Sequence, residues 1–263
     1  MKHIIAMLVI AALLAACATT TSSTGRRQYV GAVSQAELNQ LGAQAFTEAK
    51  QKGPLSTDPK LNAYVRCVVD ALVPQLPANQ RAIAWEAAVF AEKEPNAYAL
   101  PGGKVGVNTG LFSVAKNQDQ LAAVIGHEIG HVVERHHDER ITRQSGAGTA
   151  VQLLGALAGD YGQLATQGGS MVAQAGFLLP GSRAQETEAD VVGQRIMAQA
   201  GFDPRAAVGL WQNMIAAGGS RPPQWLSTHP DPQSRISELQ ARAQTLVPTY
   251  EQARAAGRRP ACG

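Results

Sequence analysis

Thirteen consecutive residues, Ala122 to Glu134, constrain this chain more than any other stretch, because an H-E-x-x-H pattern sits inside an apolar run of helical type. On a helix, His127 and His131 lie one turn apart on the same face, with Glu128 beside them. Two imidazoles and a carboxylate are costly to bury among Val, Ile and Gly unless they have partners, and a metal ion supplies one. The pattern suits a catalytic zinc site, in which a third protein ligand completes the set, one position stays open and Glu128 serves as general base. One zinc ion per chain is therefore expected.

The chain starts with Met1-Lys2-His3 and an apolar segment, Ile4 to Ala16, too short to span a bilayer comfortably. It reads as an export signal over residues 1–16. Leu14-Ala15-Ala16-Cys17 resembles the lipobox of bacterial lipoproteins, in which the signal is cut before the cysteine and that cysteine is lipidated. Cys17 is then the lipid anchor, and Ala18 after it implies transfer to the outer membrane, with the protein facing the periplasm of a Gram-negative cell. Thr19 to Arg27 is small and polar, so residues 17–33 are expected to form a flexible tether. No second linker-like break follows, and residues 34–263 are expected to form one domain. A net charge of +3, dispersed along the chain, gives no footprint for nucleic acid. Besides Cys17, only Cys67 and Cys262 remain, a single possible pair in an oxidising compartment. Sequence alone does not show that they meet; a disulfide is the expectation.

Helical signals open the domain. Ser34 and Glu37 have capping-box spacing ahead of an apolar stripe, giving a helix from about Gln35 to Lys50, and Asp58-Pro59 caps a second that ends before Pro74. Arg81 to Ala91 then alternates like a strand. Pro101-Gly102-Gly103 is a turn between Asn96 to Leu100 and a short strand from Lys104 to Asn108, and Asn117 is placed to cap the His127 helix. A small sheet beside the metal helix is the expectation. His136 and His137, among charged neighbours, read as a solvated helix end rather than as ligands. Ser145 to Gly176 is rich in Gly and Ala and fits either a weak helix packed on the body or a mobile flap over a cleft.

A further helix opens near Ser182 and carries Glu186 and Asp190 at i and i+4, about 40° apart around its axis, so the two carboxylates share a face. Glu186 can bind metal while Asp190 orients a ligating imidazole. Together with His127-Glu128-x-x-His131, this E-x-x-x-D segment resembles the gluzincin metallopeptidases of family M48, the group of HtpX-like, CaaX prenyl and BepA-like proteases. The likeness extends to Asn96 to Ala99, Pro101 to Gly103, Val107 to Gly110, His229-Pro230 and Arg235. It implies an α+β fold, a mainly helical metalloprotease domain with a small sheet beside the metal helix. It also implies zinc ligation by His127, His131 and Glu186, with His229 and Arg235 at the cleft facing the oxygen that becomes negative in the transition state. His229 can alternatively approach the zinc and hold the enzyme latent. Asn96, Ala97, Tyr98 and Ala99 are expected to bind substrate main chain as an added strand.

The expected activity is zinc-dependent hydrolysis of peptide bonds in misfolded or misassembled envelope proteins. A rival of another class is a periplasmic chaperone or assembly factor for outer-membrane components, whose protease activity is idle or secondary. Expected partners are polypeptide substrates, the outer membrane through the lipid, and outer-membrane assembly machinery.

Overall fold

The computed structural model describes residues 18–145, 182–218, 229 and 232–263. These belong to two compact units, Met1–Leu38 with Arg135–Leu179 and Asn39–Glu134 with Pro180–Gly263. Among the described residues, no helix is long and apolar enough to cross a membrane. Cys17 lies outside them, as does the Gly/Ala-rich stretch after Ser145.

In the first unit, β1 (Ala18–Thr21) pairs antiparallel with β2 (Arg27–Val30), Thr19 opposite Tyr29 and Thr21 opposite Arg27. This corrects the expectation of a flexible tether. The threonines are β-branched and suit a strand, and Ser22 closes the turn, its Oγ accepting from the Arg26 N–H at 3.1 Å. Residues 136–145 are helical. Arg26 donates to both Glu139 oxygens at 2.8 and 2.7 Å, Gly31 N–H to Asp138 Oδ1 at 2.9 Å, and Ala32 N–H to Thr142 Oγ1 at 3.1 Å. His136 and His137 are buried, at 0% and 4% exposure, which corrects the solvated helix end. Asp138 and Glu139 are paired both by neighbours, Arg135 and Arg143, and by Arg26 and the Gly31 N–H more than a hundred positions away. Burial, then the positive charge of Arg140 and His136, holds His137 well below the ordinary imidazole range, so it is neutral.

Helix α1 (Gln35–Lys52) opens with the expected box: Ser34 Oγ accepts from Glu37 N–H at 3.2 Å and Glu37 Oε2 from Ser34 N–H at 3.1 Å. In the second unit, Asp58 caps α2 (Pro59–Leu72), which buries Val65, Val68, Val69 and Leu72. A short helix α3 (Ala78–Arg81) occupies the start of the stretch expected to be a strand, so β3 is confined to Glu86–Phe90. The sheet order is β3-β5-β4, with β4 (Ala97–Leu100) antiparallel and β3 parallel to the central β5 (Lys104–Asn108). Gly102 and Gly103 turn the chain between β4 and β5 at φ of 79° and 72°, where a side chain would be strained.

Helix α4 (Gln118–Val133) is capped by Asn117, whose side chain accepts from Gln120 N–H at 2.9 Å, and it is buried on all faces from Leu121 to Val132. The sheet packs on it through β4. Opposite runs α5 (Arg183–Ala200), opened by a capping box between Ser182 and Gln185 and ended by Gly201 at φ 90°. Helices α6 (Ala206–Gly218) and α7 (Pro232–Ala255) complete the layer. A disulfide joins Cys67 on α2 to Cys262, with Cα atoms 5.5 Å apart. The tail it holds is also gripped by Gln118 at the start of α4, which accepts from Cys262 N–H at 2.9 Å and donates to the Pro260 carbonyl at 3.0 Å. The architecture is α+β and mainly helical, as expected.

Candidate metal centre

The site is built where α4 and α5 come unusually close. A Cβ added to Gly130 would lie 2.8 Å from the Ala189 carbonyl oxygen, and one added to Gly193 would lie 2.7 Å from His127 N. Gly126 and Gly130 on α4 and Ala189 and Gly193 on α5, each pair spaced i, i+4, leave no side chain thick enough to separate the backbones. That contact brings Glu186 and Asp190 to the histidines.

His127 Nε2 and His131 Nε2 are 3.1 Å apart, and Glu186 reaches them with Oε2 at 3.4 Å and Oε1 at 3.6 Å respectively. His229 adds a third imidazole, its ring centroid 5.0 Å from that of His127 and 5.4 Å from that of His131. One ligand atom from each of the four residues lies within 4.8 Å of the others, and all four are buried. Glu128 stands beside them, Oε1 3.4 Å from His229 Nε2.

These residues fit a metal ion. His127 Nδ1 is 2.9 Å from Asp190 Oδ1. With its proton donated there, Nε2 presents a lone pair to the cluster, the arrangement in which an outer carboxylate fixes a ligating tautomer. Glu186 Oε1 is buried yet accepts no hydrogen bond from the protein, a state expensive to maintain without a cation. Although burial and Arg235 oppose it, the hydrogen bonds of His127 to Asp190 and Glu186 raise its pKa to about 9. In the metal-free geometry the positive charge this favours is a second proton on His127, which a metal ion bound at Nε2 would displace. Burial raises the Asp190 carboxyl, but Arg235 and His127 more than offset this and hold it well below the usual range. Two imidazole nitrogens with a carboxylate oxygen are the donor set of catalytic zinc.

Arg235 occupies a different position from the one expected. Its Nε and Nη2 donate to Asp190 Oδ2 and Oδ1 at 2.7 and 2.6 Å, its Nη1 donates to Glu186 Oε2 at 2.9 Å, and its Cζ lies 3.9 Å from the centre of the Trp211 ring. Rather than facing a developing oxyanion, the guanidinium is committed to the two carboxylates of α5, because its planar fork matches their spacing. Trp211 and the four small residues of the helix crossing were not singled out in the sequence. The glycines carried a signal, since GHEIG and ADVVG are small at both ends; Trp211 carried none.

Strand β4 lies at one edge of its sheet. Asn108 N–H donates to the Asn96 carbonyl at 3.0 Å, so the bonded pairs with β5 fall at 96, 98 and 100 by the antiparallel alternation. The N–H and C=O groups of Ala97 and Ala99 face the other edge, where no strand pairs among the described residues; both residues are 2% exposed, so this edge is unpaired but covered, which corrects the expectation of an exposed one. The Tyr98 side chain turns inward against Phe46 and Phe90, and burial pushes its hydroxyl up to about 12.

A sequence profile described as peptidase family M48 matches residues 59–243, a span that contains all the clustered residues. The chain belongs to peptidase family M48. Zinc is the metal of these M48 peptidases, and the donor set described above suits it. Within the family it is similar to the mitochondrial metalloendopeptidase OMA1 of Schizosaccharomyces pombe, 42% identical over 158 residues, 59% of this chain and 46% of that protein. It is also similar to the beta-barrel assembly-enhancing protease of Escherichia coli K12, 30% identical over 221 residues, 81% of this chain and 45% of that one. The OMA1 of Saccharomyces cerevisiae is 32% identical over 179 residues, 65% of this chain and 50% of that protein. The chain thus spans about half the length of these curated relatives.

Proposed function

We propose that this M48 chain is a zinc-dependent endopeptidase of the bacterial cell envelope, acting on misfolded or misassembled envelope proteins. The observation that carries the activity is the convergence of His127, His131 and Glu186 on one point, with Glu128 beside it. Zinc held by those three residues would supply a Lewis acid that polarises the scissile carbonyl and acidifies the attacking water. Glu128 takes the proton from that water and delivers it to the leaving amine. His229, on the Glu128 side of the cluster, donates to the oxygen that becomes negative, an interaction strongest in the transition state. Substrate main chain pairs with the outward groups of Ala97 and Ala99 on the unpaired edge of β4, which read no side chains and so favour unfolded segments of many sequences.

The envelope setting rests on Cys17 and its preceding lipobox, which would anchor the chain to the outer membrane on the periplasmic side. Several M48 relatives are named for beta-barrel assembly, which supports outer-membrane components and their assembly machinery as partners. A second reading draws on His229. With it as a fourth donor the metal set is complete, which suits a chaperone or assembly factor whose hydrolytic site is idle. Glu128→Gln separates the two. For a protease, the variant loses cleavage of unfolded envelope polypeptides while still binding them; for a chaperone, it supports outer-membrane assembly in cells as well as the wild type does.

A further inference from the structure

Trp211 lies on α6, yet it is one contact removed from the proposed metal. Its ring covers the face of the Arg235 guanidinium at 3.9 Å, and both residues are 2% exposed. In its own plane Arg235 holds both Asp190 oxygens and Glu186 Oε2. The guanidinium N–H bonds lie in the plane of the group, so they resist sliding more than tilting about the line joining the two carboxylates. The indole face opposes that tilt, and a desolvated Arg–Trp contact is among the stronger cation–π pairs.

Close packing does not fix this corner by itself. A cavity of about 10 Å³, bordered by His127, Asp190, Gly193, Gln194, Trp211 and Leu239, lies beside the His127–Asp190 pair. It has room for about one water molecule. The packing around Asp190 is therefore incomplete on this side, and its position relies on the bonds from Arg235, as the orientation of the His127 ring relies on Asp190.

We infer that Trp211 is a positioning residue for the metal centre: acting through Arg235, it fixes Glu186 as a ligand and Asp190 as the group that orients His127. This rests on the proposal that the site binds zinc for peptide hydrolysis. The alternative is that Trp211 only fills core volume, in which case stability changes and the metal does not respond specifically.

The test compares Trp211→Leu and Trp211→Phe, each alone and combined with Arg235→Gln, in the full folded chain. Zinc affinity is measured by competition with a chromophoric chelator, kcat and KM on an unfolded polypeptide, and melting temperature on the zinc-free protein. Trp211→Leu is expected to weaken zinc binding roughly 10-fold, the lower end for loss of an outer partner, and to lower kcat with little change in KM. Trp211→Phe, which keeps a smaller ring face, loses only a few-fold. In the Arg235→Gln background neither change alters zinc affinity further, because the residue through which Trp211 acts has lost its guanidinium. If the leucine variant does not fold, the phenylalanine pair alone decides. Wild-type zinc affinity in both variants, or losses that persist undiminished without Arg235, would overturn the inference. A wild-type chain that bound no zinc would instead overturn the proposed function on which it rests.

Discussion

Replacing Gly193 by alanine adds one methyl group where α5 crosses the metal helix. The new Cβ would sit 2.7 Å from His127 N and 2.9 Å from both Gly126 C and His127 Cα, up to 0.7 Å short of the 3.4 Å at which ordinary contact begins. All three neighbours are backbone, so no rotamer change relieves the overlap and the helices must separate by about that much. Overpacking of this kind costs about 1 to 3 kcal/mol, and the better helix propensity of alanine returns up to about 1 kcal/mol. The net loss of stability is then on the order of 0 to 3 kcal/mol. Function should suffer more than stability, because Glu186 and Asp190 ride on α5 while His127 and His131 ride on α4. A misplacement near 1 Å costs roughly 10²-fold in rate, so kcat/KM is expected to fall about 10-fold to 100-fold, with weaker zinc binding. Gly209→Ala on α6 is the control. Its Cβ meets only the end of the flexible Gln120 side chain, Nε2 at 2.9 Å, and the same helix-propensity gain applies without the clash. Chelator competition, kinetics and thermal melts of the two variants give the comparison. Gly193→Ala with wild-type zinc affinity and kcat/KM would refute the claim that the close crossing sets the ligand geometry.

Three further outcomes are expected. His229→Ala should retain its zinc and lower kcat roughly 10²-fold to 10³-fold, measured with metal analysis alongside; a rise in activity would show that His229 blocks the metal instead. Ala97→Pro removes a donor from the unpaired edge of β4 without breaking the ladder to β5, so it should raise KM or abolish cleavage while zinc content holds, although the larger ring in the core at Ala97 lowers the melting temperature. Unaltered kinetics would remove the added-strand mode. Replacing Cys67 and Cys262 by serine should lower unfolding free energy by about 3 to 5 kcal/mol in denaturant melts, given the long loop that the bond closes; a midpoint equal to that of the wild type would mean that the tail is held by other contacts.

The parts of the molecule legible in its sequence are those whose cause is local. Asp58-Pro59 and Asn117 cap the helices they precede, and the Gly102-Gly103 turn supplies the positive φ that its hairpin requires. The His127 and His131 pair was legible because a helix fixes their spacing, and Glu186 with Asp190 for the same reason. What was not legible depends on partners distant in sequence. Thr19 to Thr21 looked like a tether because its composition is polar, yet it pairs with a second strand. The charges around His136 and His137 looked solvated until Arg26 and the Gly31 N–H were seen to take up Glu139 and Asp138. The family resemblance points Arg235 at the developing oxyanion, whereas its planar fork finds two buried carboxylates one helical turn apart, and Trp211 has no local pattern that ties it to either.

The most direct test of the central claim is anomalous X-ray diffraction at the zinc absorption edge from crystals of the purified protein, grown without added metal. The account predicts one strong peak per chain at about 2.0 to 2.2 Å from His127 Nε2, His131 Nε2 and a Glu186 oxygen. A peptidase-active preparation with no peak there, or with its zinc bound elsewhere, would contradict it.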